Sequence, residues 1–182
     1  MDINKGMLVI GRAAVILFVS SSAAMAIIPG QLSMSGELIE AGCEIDPQSR
    51  HLSVDFGEIA ARDINFKNES RTSRPFSIRL TGCSTLIGGD GVSHYPLASI
   101  TFLGDIAGSD ASVLKVDGAG EGFGIRIRDR HGATLIFGRE SPGYELSEND
   151  SVLRFTATLV PVHNFIKAGD FFASARFFID YQ

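Results

Sequence analysis

The chain has 182 residues, 45% of them apolar, which suits one domain with a single packed core and leaves little room for two. Its formal net charge of -5, with no long basic run and no Trp, argues against a nucleic-acid surface. Thirteen Phe, twenty Gly and short alternating apolar runs point to an all-β domain with many turns.

At the N-terminus Lys5 and Arg12 flank the apolar run Ala13 to Val19, followed by Ser20-Ser21-Ser22 and Ala24-Met25-Ala26. This order of basic flank, short apolar core and small-x-small site reads as a secretory signal peptide over 1–26, cleaved after Ala26. The apolar core is shorter than the roughly 20 residues needed to span a bilayer. Export makes the cysteines informative. Cys43 and Cys83 are the only two, and an oxidising compartment pairs them. The rival use, a metal site, would need two further ligands at short spacing, and none of His51, His94, His131 and His163 lies near a cysteine.

Residues 27–41 form an N-terminal extension. Within it Leu32, Met34, Gly36 and Leu38 share one face of an alternating segment, with Gln31, Ser33, Ser35 and Glu37 on the other. Gly36 stands where a large side chain is expected; a glycine inside a strand often marks close approach of another group, the alternative here being a weakened edge strand of the same sheet. Beyond it, Ile45 to Gln48 is a turn, and His51 to Gly57 is a strand with Leu52, Val54 and Phe56 inward. Ala60 to Arg74 reads as a polar, irregular loop with one short strand at Ile64 to Phe66. Pro75 to Cys83 is the clearest interior strand, with Phe76, Ile78 and Leu80 on one face.

Ser84 to Pro96 is loop-like, and Leu97 to Leu103 is a strand. Gly118, Gly120, Gly122 and Gly124 precede Ile125 to Asp129. The spacing fits neither G-x-G-x-x-G nor G-x-x-x-x-G-K-[ST], and a strand follows rather than a helix, so a phosphate loop is disfavoured. Arg130-His131-Gly132 turns into a strand at Ala133 to Phe137, and Ser141-Pro142-Gly143 turns again. Val152 to Val162 is a long strand with Leu153, Phe155, Ala157 and Leu159 inward. Gly169 then opens a closing strand, Phe171 to Tyr181, on which Phe171, Ala173, Ala175, Phe177, Ile179 and Tyr181 make an apolar face. No helix of normal length is expected in 27–182.

Nothing in this pattern carries catalysis. There is no G-x-S-x-G and no H-E-x-x-H, and the histidines are scattered, so no catalytic residue, metal site or cofactor is assigned. A carbohydrate-binding sandwich is a second possibility, disfavoured because aromatic platforms are scarce: Trp is absent and the tyrosines are Tyr95, Tyr144 and Tyr181.

The ends of the chain resemble those of the pilin subunits assembled by the bacterial chaperone-usher pathway. The carriers are the alternating segment through Gly36, the G-E-L-I-E-A-G-C stretch from Gly36 to Cys43, and the Cys43 and Cys83 spacing. To these is added Gly169, fourteenth from the end, with the aromatic Tyr181 next to last. The resemblance implies an incomplete immunoglobulin-like β-sandwich over 42–182, lacking its last strand and completed by donor-strand exchange. It makes Gly169, Phe171, Ala173, Ala175, Phe177, Ile179 and Tyr181 the groove and chaperone-binding strand, and Leu32, Met34, Gly36 and Leu38 the strand lent to a neighbour. Chaperone–pilin complementation is itself a recognised form of β-strand addition. The implied partners are a periplasmic pilus chaperone, an outer-membrane usher and neighbouring pilins, with no nucleic acid and no small-molecule substrate. The implied place is a fimbria on the bacterial surface that supports cell adhesion. The short segment before Gly36 suits a minor or adaptor subunit, and a pilus assembly terminator is the alternative rank.

Overall fold

In the computed structural model, residues 33–35, 42–87 and 93–182 are described. The chain divides into units Met1–Glu37 and Leu38–Gln182, and the architecture below is that of the second. The expected signal peptide and the positions Leu32, Gly36 and Leu38 lie outside the described residues. Ser33–Ser35 carries no regular secondary structure, and Met34 is 84% exposed.

In chain order the strands are β1 (Glu44–Ile45), β2 (Ser73–Cys83), β3 (Leu86–Ile87), β4 (Ser93–His94), β5 (Leu97–Leu103), β6 (Ile106–Ala107), β7 (Asp110–Lys115) and β8 (Asp117–Gly118). They continue with β9 (Phe123–Asp129), β10 (Tyr144–Glu145), β11 (Asn149–Pro161), β12 (Phe171–Phe172) and β13 (Arg176–Tyr181). A six-stranded sheet runs β1-β2-β11-β9-β7-β6 and a three-stranded sheet runs β10-β5-β13, while β12–β8 and β3–β4 are two-stranded. Every pairing is antiparallel. This is an immunoglobulin-like sandwich in which β13 is an edge, paired with β5 alone.

The long strands form because their side chains alternate. On β11, Leu153, Phe155, Ala157 and Leu159 are buried, and on β2, Ile78 and Leu80 are fully buried while Ser77 and Arg79 face out. Between the sheets an aliphatic core of Ile and Leu side chains surrounds a cluster of phenylalanine rings. Phe102 meets Phe155 edge-on at 5.5 Å, and Phe76 lies 5.5 Å from Phe155 and 6.3 Å from Phe102. Burying each such side chain contributes about 1.5–3 kcal/mol, so this cluster is a principal source of stability. Cys43, just before β1, is disulfide-bonded to Cys83 at the end of β2, with 4.1 Å between their Cα atoms. On the chain-entropy model a loop of 40 positions contributes about 4 kcal/mol.

Four expectations need correction. The strand expected at Ile64 to Phe66 is helical, within α1 (Ala61–Asn65) and its cap, and α2 (Glu69–Thr72) follows. Three residues of alternation are too few to hold a ladder. Phe66 N–H bonds back to Arg62 and leaves the ring 82% exposed, while Arg71 Nε pairs with Asp63 Oδ2 at 3.1 Å across the two turns. Ala133 to Phe137 is not a strand, because it crosses between the sheets. Its bonds go to different strands: Leu135 N to Ile127 O, Phe137 N to Ala111 O, then Gly138 N to Phe102 O. His51 to Gly57 has no ladder; Phe56 is buried and Val54 half-buried, but Leu52 is exposed. The closing strand is broken, since β12 pairs with β8, β13 pairs with β5, and Ala173–Ala175 changes partner between them.

Candidate strand-binding groove

Between the two sheets a groove of about 790 Å³ runs along the sandwich. One lip is the segment Arg50 to Ile59, and the other is Gly169 to Ala173 with Ala175 and Phe177. Its floor is apolar: Phe76, Phe102, Leu114, Ile125, Ile127 and Ala157. Neither lip is completed by the other. The β13 backbone bonds only to β5, and the segment 51–59 makes no backbone-to-backbone hydrogen bond with another described residue.

Burial shows the effect on side chains. Phe177, Ile179 and Tyr181 face inward and pack on the core, yet all three are only half-buried, whereas their cross-strand neighbours Phe102, Ile100 and Ala98 are buried. The apolar face is therefore built and only half covered. Phe178, on the opposite face of β13, is 50% exposed. An edge strand with one apolar face is a ready template for a further strand, because its unpaired N–H and C=O groups lie along the same line.

The residues singled out from the sequence fall into distinct places. Phe171, Ala173, Ala175 and Phe177 line the groove, and Ile179 continues their face beyond it. Along this face Phe171 and the small Ala173 and Ala175 give way to Phe177 and Ile179 toward the C-terminus. Tyr181 closes that end. Its ring lies so close to Gly42 that a Cβ there would stand 2.7 Å from Tyr181 Cδ1, and its hydroxyl donates to Cys43 O at 2.9 Å. Burial pushes the Tyr181 hydroxyl pKa up. Beyond it, Gln182 and Leu97 exchange backbone bonds of 3.0 Å each way, and Gln182 Nε2 donates to Glu140 Oε1 at 2.8 Å.

Gly169 marks the other end, where the chain enters the lip against the glycine-rich run. Asp170 O accepts from Ala119 N at 2.9 Å and Gly120 N at 3.0 Å, and Lys167 and Glu121 exchange backbone bonds beneath a 2.7 Å ion pair. A Cβ on Gly169 would lie 2.6 Å from the Ala119 carbonyl carbon. One on Gly120 would lie 2.9 Å from Gly169 O, and one on Gly118 would collide with Asp170 O. Gly118 and Gly120 are thus a bed for the incoming lip, while Gly122 lies against Phe165 and Gly124 against Val113. The sequence reading did not find this role, although glycines spaced by two opposite a distant Gly169 are its signal.

At the Gly169 end the two lips touch. The Phe56 and Phe171 ring centroids are 6.0 Å apart, and Phe171 meets Phe123 edge-on at 5.1 Å. Arg74, which the sequence reading did not single out, holds Phe56. It donates to the Phe56 carbonyl from Nη2 and to the Arg71 and Ser73 carbonyls from Nη1, and its guanidinium carbon is 5.9 Å from the Phe56 ring centroid.

Comparisons with known proteins agree on one group. A family model described as "Fimbrial protein" matches residues 32–182. The PRS fimbrial major pilin protein of Escherichia coli is 32% identical over 84% of this chain and 94% of its own length. The PRS fimbrial minor pilin protein of the same species is 26% identical over 84% of this chain and 77% of its own. Among solved structures, the P pilus rod subunit PapA superposes with a TM-score of 0.65 at 25% identity, covering 78% of this chain and all of that one.

Proposed function

The chain belongs to the fimbrial protein family and is a structural pilus subunit, and from that premise we propose that its groove takes a β-strand supplied by another protein. The observation that carries this reading is the edge strand β13, paired on one side only, with Phe177, Ile179 and Tyr181 half-buried over an apolar floor. A strand laid there would add backbone pairing to β13 and cover that face.

On this reading residues 1–26 direct export and are removed, 42–182 form the pilin domain, and 27–41 are the extension lent to a neighbour. A periplasmic chaperone fills the groove first. At an outer-membrane usher a neighbouring pilin's extension then replaces it, and the product is a surface fimbria that supports adhesion. The rank is minor or adaptor, from the short segment before Gly36. Size complementarity supports a register. All pairs in the sandwich are antiparallel, and an antiparallel donor with its Gly36 beside Phe177 sets Leu38 beside Ala175 and Met34 beside Ile179. The glycine then meets the bulky ring and the leucine meets the small alanine. Each large apolar side chain so buried contributes about 1.5–3 kcal/mol.

The test is expression of residues 27–182 alone and together with a pilus chaperone. A one-to-one complex and an unstable lone chain are expected. A lone chain that is monomeric, fully folded and indifferent to the chaperone would overturn the reading.

A further inference from the structure

At the Gly169 end of the groove, residues 165–172 form a shelf that runs antiparallel to 117–122. Phe171 and Phe172 pair with Gly118 and Asp117, the Asp170 carbonyl accepts from Ala119 N and Gly120 N, and Lys167 and Glu121 exchange backbone bonds. Just before the shelf, Val162 N and His163 N both bond Gly122 O. On this hydrogen-bonded backbone Ile166 is buried, while Phe165 and Phe172, at the two ends, are 75% and 66% exposed. Aromatic side chains are enriched among the residues that anchor protein interfaces.

The donor brings a folded body to this end. In the register above, Leu38 of the donor lies beside Ala175, and the next residue on its face is the charged Glu40, so the apolar insertion ends there. Five steps beyond Leu38 stands Cys43, tied by its disulfide to β2 of the donor's own domain. At about 3.4 Å per residue those steps span at most roughly 17 Å. An antiparallel donor heads toward lower residue numbers of the lip, so Phe172, three residues before Ala175, lies along that path. The lending domain is therefore held against the shelf. In a copy of this chain it offers an apolar counterpart there: Pro96 Cγ stands 2.9 Å from where a Gly42 Cβ would be, and the next residue, Leu97, is 41% exposed.

We propose that Phe172 and Phe165 form a second contact surface, on which the folded domain of the strand-lending pilin rests. This rests on the reading of the groove as a strand-binding site and on its antiparallel register. The contact is heterologous, joining the Gly169 end of one domain to the Cys43 end of the next, so it can repeat along a fibre. The inserted strand supplies the proximity, so an area too small to hold free domains together suffices.

The experiment places the photo-reactive residue benzoylphenylalanine in residues 27–182 in place of Phe172, of Phe165 or, as a control on the outer face of β13, of Phe178. Chaperone-bound chains, half of them carrying heavy nitrogen, are allowed to polymerise, irradiated and read by mass spectrometry for links between labelled and unlabelled copies. Links from 172 and 165 into another copy's domain, concentrated near Cys43 and Leu97, are expected at a level at least tenfold above links from 178. Should the chain altered at 172 fail to polymerise, the one altered at 165 decides. Links from 172 and 165 that reach only another copy's residues 27–41, that fall elsewhere in its domain, or that do not exceed those from 178 overturn the shelf contact while leaving the groove reading intact. Failure of every chain, the native one included, to polymerise overturns both.

Discussion

The Tyr181 hydroxyl donates a 2.9 Å hydrogen bond to the carbonyl of Cys43, joining the next-to-last residue to the disulfide that ties β1 to β2. The end of the edge strand is thereby fixed to the start of the domain. Tyr181→Phe removes one hydrogen bond and should lower stability by about 0.5–1.5 kcal/mol. Burial raises the pKa of Tyr181, and also of Tyr144. The folded chain then keeps these protons to higher pH than the unfolded chain, so stability should fall as pH rises through about 10, the ordinary tyrosine value. Denaturant melts between pH 8 and 11 should show that fall, shallower in Tyr181→Phe; equal slopes would mean that Tyr181 does not contribute.

Gly36→Leu should block joining to the acceptor subunit without unfolding the variant's own domain. In the register above it presses a leucine against Phe177. The assay is capture of the variant's extension by a chaperone-bound acceptor, with its own thermal midpoint measured alongside. Capture at the native rate would remove Gly36 from its assigned place.

Truncation after Arg176 deletes Phe177 to Gln182, and with them all but one of the β13 pairings to β5. Chaperone capture should be abolished. Recovery of that fragment as a stable chaperone complex would show that β13 is dispensable for binding.

Gly169→Ala forces a methyl to within 2.6 Å of the Ala119 carbonyl carbon. Crowding of this kind costs about 1–3 kcal/mol. Chemical denaturation should register the loss, and hydrogen exchange should place it at residues 117–122 and 166–172. A neutral substitution would mean that the bed of glycines yields easily.

Much of the sandwich was legible because two-residue alternation is a local signal. β2, β5, β11 and the inward face of β13 were all read from it, and the disulfide followed from two cysteines in a chain read as exported. β7 was not read, since Ser112, Val113 and Leu114 are all buried and no polar face alternates with them. The lip 51–59 was half legible: Phe56 and Val54 do pack inward, but the absence of a ladder depends on where β13 lies, more than a hundred residues on. Arg74 and Gly118 to Gly122 escaped for the same reason, because their partners, Phe56 and Asp170, are remote in sequence. The closing strand read as continuous because its side-chain parity never changes, although its backbone changes partners at Ala173–Ala175.

The pairing of Arg176–Tyr181 with residues 98–103 has a consequence for the timing of folding. A chain delivered N-terminus first can make β2 and β5 long before their companions arrive. β2 waits for β11, and β5 waits for the last residues of all. Contacts so far apart in sequence form slowly. Until β11 emerges, Phe76 and Phe102 lack the Phe155 ring on which both pack, and aggregation competes with folding throughout that interval. The demand for protection thus begins during delivery, before any groove exists to be filled.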